Sequence, residues 1–109
     1  MLILSTKLKN AINAHAGKMD LAFTLKNISI NGSKRGCSGF IRNNANGSVV
    51  YVTTEEPYLS NLHFMYRYAD NEKDYTGYRN RWANTLDELA NAICTCLKST
   101  PQEQNDRRI

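Results

Sequence analysis

The stretch Tyr75-Thr76-Gly77-Tyr78-Arg79-Asn80-Arg81-Trp82 holds two tyrosines, two arginines and the chain's single tryptophan. Aromatic rings bury a large area at little entropic cost, and guanidinium groups bond planar anions with a fixed fork of donors. That is the chemistry of a surface that grips another macromolecule. Tyr75, Tyr78, Arg79, Arg81 and Trp82 are therefore the expected partner contacts. If the segment is extended, Arg79 and Arg81 share one strand face and project outward, while Trp82 is half-buried as a staple against the helix that follows.

A second basic group, Lys34 and Arg35 with Arg42, flanks hairpin-like sequence and is the candidate nucleic-acid contact. A protruding hairpin with such residues resembles the β-ribbons that enter a DNA groove. The charge distribution adds weight to it. Residues 1–50 carry seven bases against the single acid Asp20, whereas residues 51–109 carry seven bases and nine acids. A basic half suits nucleic acid or an acidic protein surface, and it also serves plain solubility.

Catalytic chemistry finds little support. A nucleophilic Ser or Cys needs a histidine and an orienting acid, and the only histidines, His15 and His63, belong to no local signature. Gly36-Cys37-Ser38-Gly39 superficially resembles a glycine-flanked nucleophile turn. It lacks the strand-to-helix setting of such elbows and reads as flexible backbone at the start of a strand. The acids Glu55-Glu56 and Asp70 to Asp74 read as solvated turns. Cys37, Cys94 and Cys96 are odd in number, and the last two diverge on a helix. With no secretory segment, reduced thiols in the cytoplasm are expected, with no disulfide framework, metal site or cofactor. No apolar run is long enough to cross a membrane.

At 109 residues the chain makes one domain, expected over residues 1–100, with 101–109 a flexible polar tail. Leu4, Leu8 and Ile12 recur every fourth residue, Ser5 is a possible cap and Gly17 a terminator, which predicts a helix to Ala16. Met19, Leu21, Phe23 and Leu25 alternate as a strand does. Ile28 and Ile30 continue out of phase, which calls for a bulge near Lys26-Asn27 or two short strands. Asn31-Gly32 turns the chain. A second strand is expected from about Cys37, then a hairpin at Asn43-Asn44-Ala45-Asn46-Gly47 and a return strand over residues 48–54. Leu62, Phe64, Tyr66 and Tyr68 form the aromatic face of a further strand, with His63, Met65 and Arg67 pointing away. Residues 75–82 are a possible antiparallel return. Thr85-Leu86-Asp87-Glu88 fits a capping box, and Leu86, Leu89, Ala90, Ile93 and Leu97 then form a helical stripe. The expected fold is α+β: a four- or five-stranded antiparallel sheet with an N-terminal and a C-terminal helix on one face.

The succession of strands, the basic-aromatic segment, Trp82 and Thr85-Leu86-Asp87-Glu88-Leu89-Ala90 resembles the arm-binding domains of tyrosine recombinases. The likeness runs roughly from Cys37 to Leu97 and implies a DNA-reading sheet. In the character of Asn31-Gly32-Ser33-Lys34-Arg35-Gly36-Cys37 and of the run from Asp74 to Leu89, the chain also resembles short accessory proteins of phages and mobile elements of gut-dwelling Firmicutes. Some of these are anti-CRISPR inhibitors, which bind a host nuclease stoichiometrically. This second resemblance implies a non-enzymatic inhibitor of a host defence protein such as Cas9, as monomer or homodimer. The first implies a small DNA-binding accessory protein.

Overall fold

Leu4, Leu8, Ile12 and Ala16 are all buried along one side of helix α1 (Leu4–Ala16) in the computed structural model, which describes residues 4–30, 34–56, 64–75 and 79–99. Spacing of four puts these side chains one above another on a single helical face. Gly17, at φ 61°, takes the left-handed position that ends the helix. Five strands follow: β1 (Leu21–Ile30), β2 (Lys34–Asn43), β3 (Val49–Glu56), β4 (Phe64–Ala69) and β5 (Arg81–Trp82), and the described part closes with α2 (Leu86–Leu97). All neighbours pair antiparallel in the order β1-β2-β3-β4-β5. The expected α+β architecture holds, with five strands. The 101–109 tail and the Asn31-Gly32 turn lie outside the described residues.

One face of the sheet makes the main core. Cys37, Ile41, Val50, Val52, Phe64 and Tyr68 pack there against Leu8 and Ile12 of α1 and Leu89, Ile93 and Leu97 of α2. Alternation along each strand selects these residues, and burying such apolar surface stabilises by about 25 cal/mol per Å². At α2 the Thr85 hydroxyl accepts the Glu88 N–H at 3.1 Å. The Glu88 carboxylate reaches back one residue further than a standard capping box, to the Asn84 N–H at 3.0 Å.

The strands differ from expectation in three places. β1 pairs with β2 in one unbroken register from Leu21↔Asn43 to Ile30↔Lys34, so the change of phase at Ile28 involves neither bulge nor break. β2 begins at Lys34, which places Gly36-Cys37-Ser38-Gly39 within the ladder and not at its start. The return strand is only Arg81–Trp82, because Arg79 sits at φ 68° and cannot continue an extended run.

The asparagine-rich hairpin has a structural task. Asn43 donates its side-chain N–H to the Leu97 carbonyl at 2.9 Å, and Asn46 donates to the same oxygen at 3.1 Å. That oxygen is one of the carbonyls a helix end leaves without an intrahelical partner. The hairpin thus caps α2 and lies docked on it. Asn43 also accepts the Ala45 N–H at 3.0 Å. Replacing Asn43 with Ala is expected to cost about 1–3 kcal/mol, because the Leu97 carbonyl loses one of its two side-chain donors and the Ala45 amide loses its acceptor. The check is a lower urea midpoint at unchanged slope.

Candidate functional site

Among the described residues no helix lies on the second sheet face, and the segment 70–75 folds partly across it. Phe40, Val49 and Ala69 form a small buried cluster there, with Tyr51 packed alongside. Tyr75 closes the cluster: its ring lies 5.1 Å from Phe40 and 6.0 Å from Tyr51, edge-on to both. Edge-to-face geometry at these distances is the favoured arrangement of aromatic pairs. Tyr75 nonetheless remains 59% exposed. Trp82 belongs to the same face by alternation, opposite Met65 in the β4–β5 register, and is 52% exposed. Tyr75 and Trp82 are the exposed large hydrophobics among the described residues.

The expected patch does not assemble as one surface. Arg81 and Trp82 are adjacent in β5, so their side chains take opposite faces. The Arg81 guanidinium stands 5.2 Å over the Tyr68 ring, at the margin of the helix-covered face. It also lies beside Tyr66, whose phenol is pushed up by burial and drawn partly back by Arg81. Arg79 is exposed, and its positive φ removes the shared strand face expected with Arg81. Tyr78 lies outside the described residues. Trp82 is no staple for α2: it sits on the other side of the sheet, and the buried Ala83 packs in the helix-side core instead.

The basic group also separates. Lys34 and Arg35 begin β2 and Arg42 nearly ends it, so Arg35 and Arg42 are roughly 23 Å apart along the strand. The side chains of Lys34 and Arg35 lie outside the described part. Arg42 is engaged by Glu72, through Nε to Oε1 and through Nη2 to Oε2 at 3.0 Å. That bidentate bond holds the Glu72 carboxyl below its ordinary value and raises Arg42 further. Because the turn following Arg42 is docked on α2, no protruding ribbon forms at that end. The pair has a pH signature. Glu72 is depressed in the folded state, so its contribution is present above its ordinary value of about 4.5 and is lost as pH falls through the folded value. Replacing Glu72 with Gln is expected to flatten the fall in stability below that value, measured as thermal midpoint against pH.

Arg67 lies off the aromatic face of β4, as alternation predicts. It is nonetheless buried there, 2% exposed. Its Nη1 donates to the Tyr68 carbonyl at 3.1 Å and Nη2 to the Asp74 carbonyl, while the Asp74 carboxylate lies 3.6 Å from Nη1. The guanidinium also lies 4.6 Å from the Tyr51 ring centre. Glu72 and Asp74, expected as solvated turn acids, are thus both arginine partners. The available signal was a strand arginine followed by an acidic turn short enough to fold back.

No protein-family model, curated protein or solved structure matches this chain. The site therefore rests on its own chemistry. Cys37, Cys94 and Cys96 are buried. Burial pushes the Cys37 thiol up to about 11 and Cys94 upward too, which works against thiolate nucleophiles. Cys94 instead donates its S–H to the Ile12 carbonyl at 3.3 Å, tying the two helices. His15 Nε2 meets the Asp87 carboxylate at 2.9 Å near the surface. His63 lies outside the described residues. Among the described residues no group of His, Cys, Asp and Glu is arranged to hold a metal ion, and no helix is long and apolar enough to cross a membrane.

Proposed function

We propose that this chain is a non-enzymatic binding protein of phage or mobile-element type, an anti-CRISPR-type inhibitor that acts in the cytoplasm by docking on a host defence nuclease such as Cas9. One observation carries the docking surface: Trp82 and Tyr75 both stand exposed on the sheet face that none of the described helices covers. Large rings held out of a core at an entropic cost already met are what interface hot spots use. Tyr75 is braced by Phe40 and Tyr51, and Trp82 is held in a strand, so little ordering remains to be done on binding. Arg79, exposed two residues before β5, supplies a guanidinium close by in sequence. Seated on a nuclease, such a domain blocks nucleic-acid access or restrains a moving lobe without chemistry of its own. The buried, proton-retaining thiols agree with that mode.

The test replaces Trp82 and Tyr75 with Ala, singly and together, and follows DNA cleavage by the nuclease and its co-elution with the protein. Hot-spot loss predicts at least about tenfold weaker binding for Trp82→Ala. Since its side chain is half exposed, folding stability should change by under about 1 kcal/mol. Full inhibition by the double variant rejects this face. Binding of bare DNA that weakens steeply with salt, through counterion release, points instead to the DNA-accessory role.

A further inference from the structure

β1 is the outermost strand on its side of the sheet, ten residues long and unbulged. Its sequence, Leu21-Ala22-Phe23-Thr24-Leu25-Lys26-Asn27-Ile28-Ser29-Ile30, contains no proline and one charge. Natural edges are usually kept short, bulged, or laced with proline and charge, because an open ladder templates pairing. The opposite edge obeys that rule: β5 has only two residues.

The direction of the open hydrogen bonds follows from one contact. The Asn44 N–H donates to the Asp20 carbonyl at 2.9 Å, so Asp20 aims its backbone at β2. Backbone groups alternate along an antiparallel strand. Even-numbered residues of β1 therefore face β2, and Leu21, Phe23, Leu25 and Asn27 direct N–H and C=O outward. Asn27 also accepts the Ser5 N–H through its side chain at 3.1 Å, which fixes this part of the strand to α1.

We infer that two copies of this chain pair antiparallel through β1, with Phe23 opposite Phe23 of the second copy, joining two five-stranded sheets into one. In that register Leu21 meets Leu25 of the second copy and Asp20 meets its Lys26, each twice by symmetry. The hydrogen-bonding residues are the outward-facing odd ones, and side-chain faces stay aligned, because the shift is even. The apolar partners lie on the helix side, where Leu21, Phe23 and Leu25 are only partly buried in the monomer. Asp20 and Lys26 are exposed and, being even-numbered, lie on the other face. Shifting the centre to Ala22 instead sets Lys26 against Lys18, a like-charge pair. Lys9, 5.3 Å over the Phe23 ring, is exposed and can swing clear of its counterpart. With β5 too short to accept a ten-residue strand, the contact closes as a two-fold dimer and does not run on into a fibre.

The inference concerns the β1 edge and is separate from the docking face bearing Trp82. Its test is the solution mass of the full chain across a concentration series, starting from a 12.4 kDa monomer. Mass should approach twice that value for the natural chain. Lys26→Asp sets two acids opposite each other at both ends of the seam, and Asp20→Lys sets two bases there. Each variant should associate roughly ten- to a hundredfold more weakly. Mixing the two variants restores opposite charges at every position, as does the double swap in one chain, and either should recover the dimer. Both sites are exposed, so the monomer fold is a constant that circular dichroism verifies. A monomer at every concentration overturns the proposal, including the case where this edge receives a strand from a different protein. A dimer indifferent to both single variants overturns it too, by assigning the contact to another surface.

Discussion

Replacing Gly39 with Ala should remove on the order of 4 kcal/mol of folding stability, the largest effect expected of one added methyl group in this protein. Gly39 lies mid-strand in β2, paired with Leu25 on one side and Val52 on the other, at φ 153°. A Cβ there falls 1.9 Å from the Thr24 carbonyl oxygen and 2.8 Å from the Leu25 Cα. Both are backbone atoms of the neighbouring strand, so no side chain can rotate to make room. The β1–β2 ladder must separate locally, which also loosens Phe23 and Leu25 from the core. A domain of this size has ~5–15 kcal/mol in total, and its thermal midpoint falls about 4–8 °C per kcal/mol. A drop of roughly 15–30 °C is therefore expected. Gly17 is the control: a side chain there meets nothing within 4 Å, and only the left-handed φ of 61° opposes it. Gly17→Ala should cost about 1–2 kcal/mol. Equal losses at the two glycines would contradict the steric account.

The second large effect is expected at Arg67. Truncation to Ala leaves the Asp74 carboxylate, 15% exposed, without its cation, and the Tyr68 and Asp74 carbonyls without their donor. It also uncovers the Tyr51 ring. Breaking a buried pair from one side costs about 3–5 kcal/mol, chiefly through the polar groups left behind. Replacing both partners with neutral residues of similar shape, Arg67→Met with Asp74→Asn, should cost clearly less than the sum of the single changes. Urea unfolding of all four proteins measures the difference. Strict additivity would show that Arg67 and Asp74 act independently. The same cycle bears on function, because Arg67, together with the Arg42–Glu72 bond, anchors the 70–75 segment that carries Tyr75. Any partner that reads Tyr75 should bind the Arg67→Ala variant more weakly, even at a temperature where it remains folded.

Local chemistry made much of the fold legible. The spacing of Leu4, Leu8 and Ile12, the cap at Thr85 and the left-handed Gly17 each act within a few residues, and each appears as read. Strand alternation likewise sorted Phe64 and Tyr68 into the core. The site was less legible, because its assembly depends on long-range placement. Arg79, Arg81 and Trp82 look like one patch in sequence, yet a positive φ and the two-fold alternation of β5 send them different ways. Arg42 reads as a free cation until Glu72, thirty residues later, is folded against it.

Taken alone, the order of residues determined which elements form and which side chains must be hidden, since helical and strand periods are local properties of the backbone. Tertiary structure decided what the charged and ring-bearing side chains are for. It buried Arg67, spent Glu72 and Asp74 on arginines, and turned the asparagine hairpin into a helix cap. It also left Tyr75, Trp82 and the edge of β1 facing outward. Those outcomes hinge on which distant groups meet, because a polar group taken from water must find a partner wherever the fold supplies one.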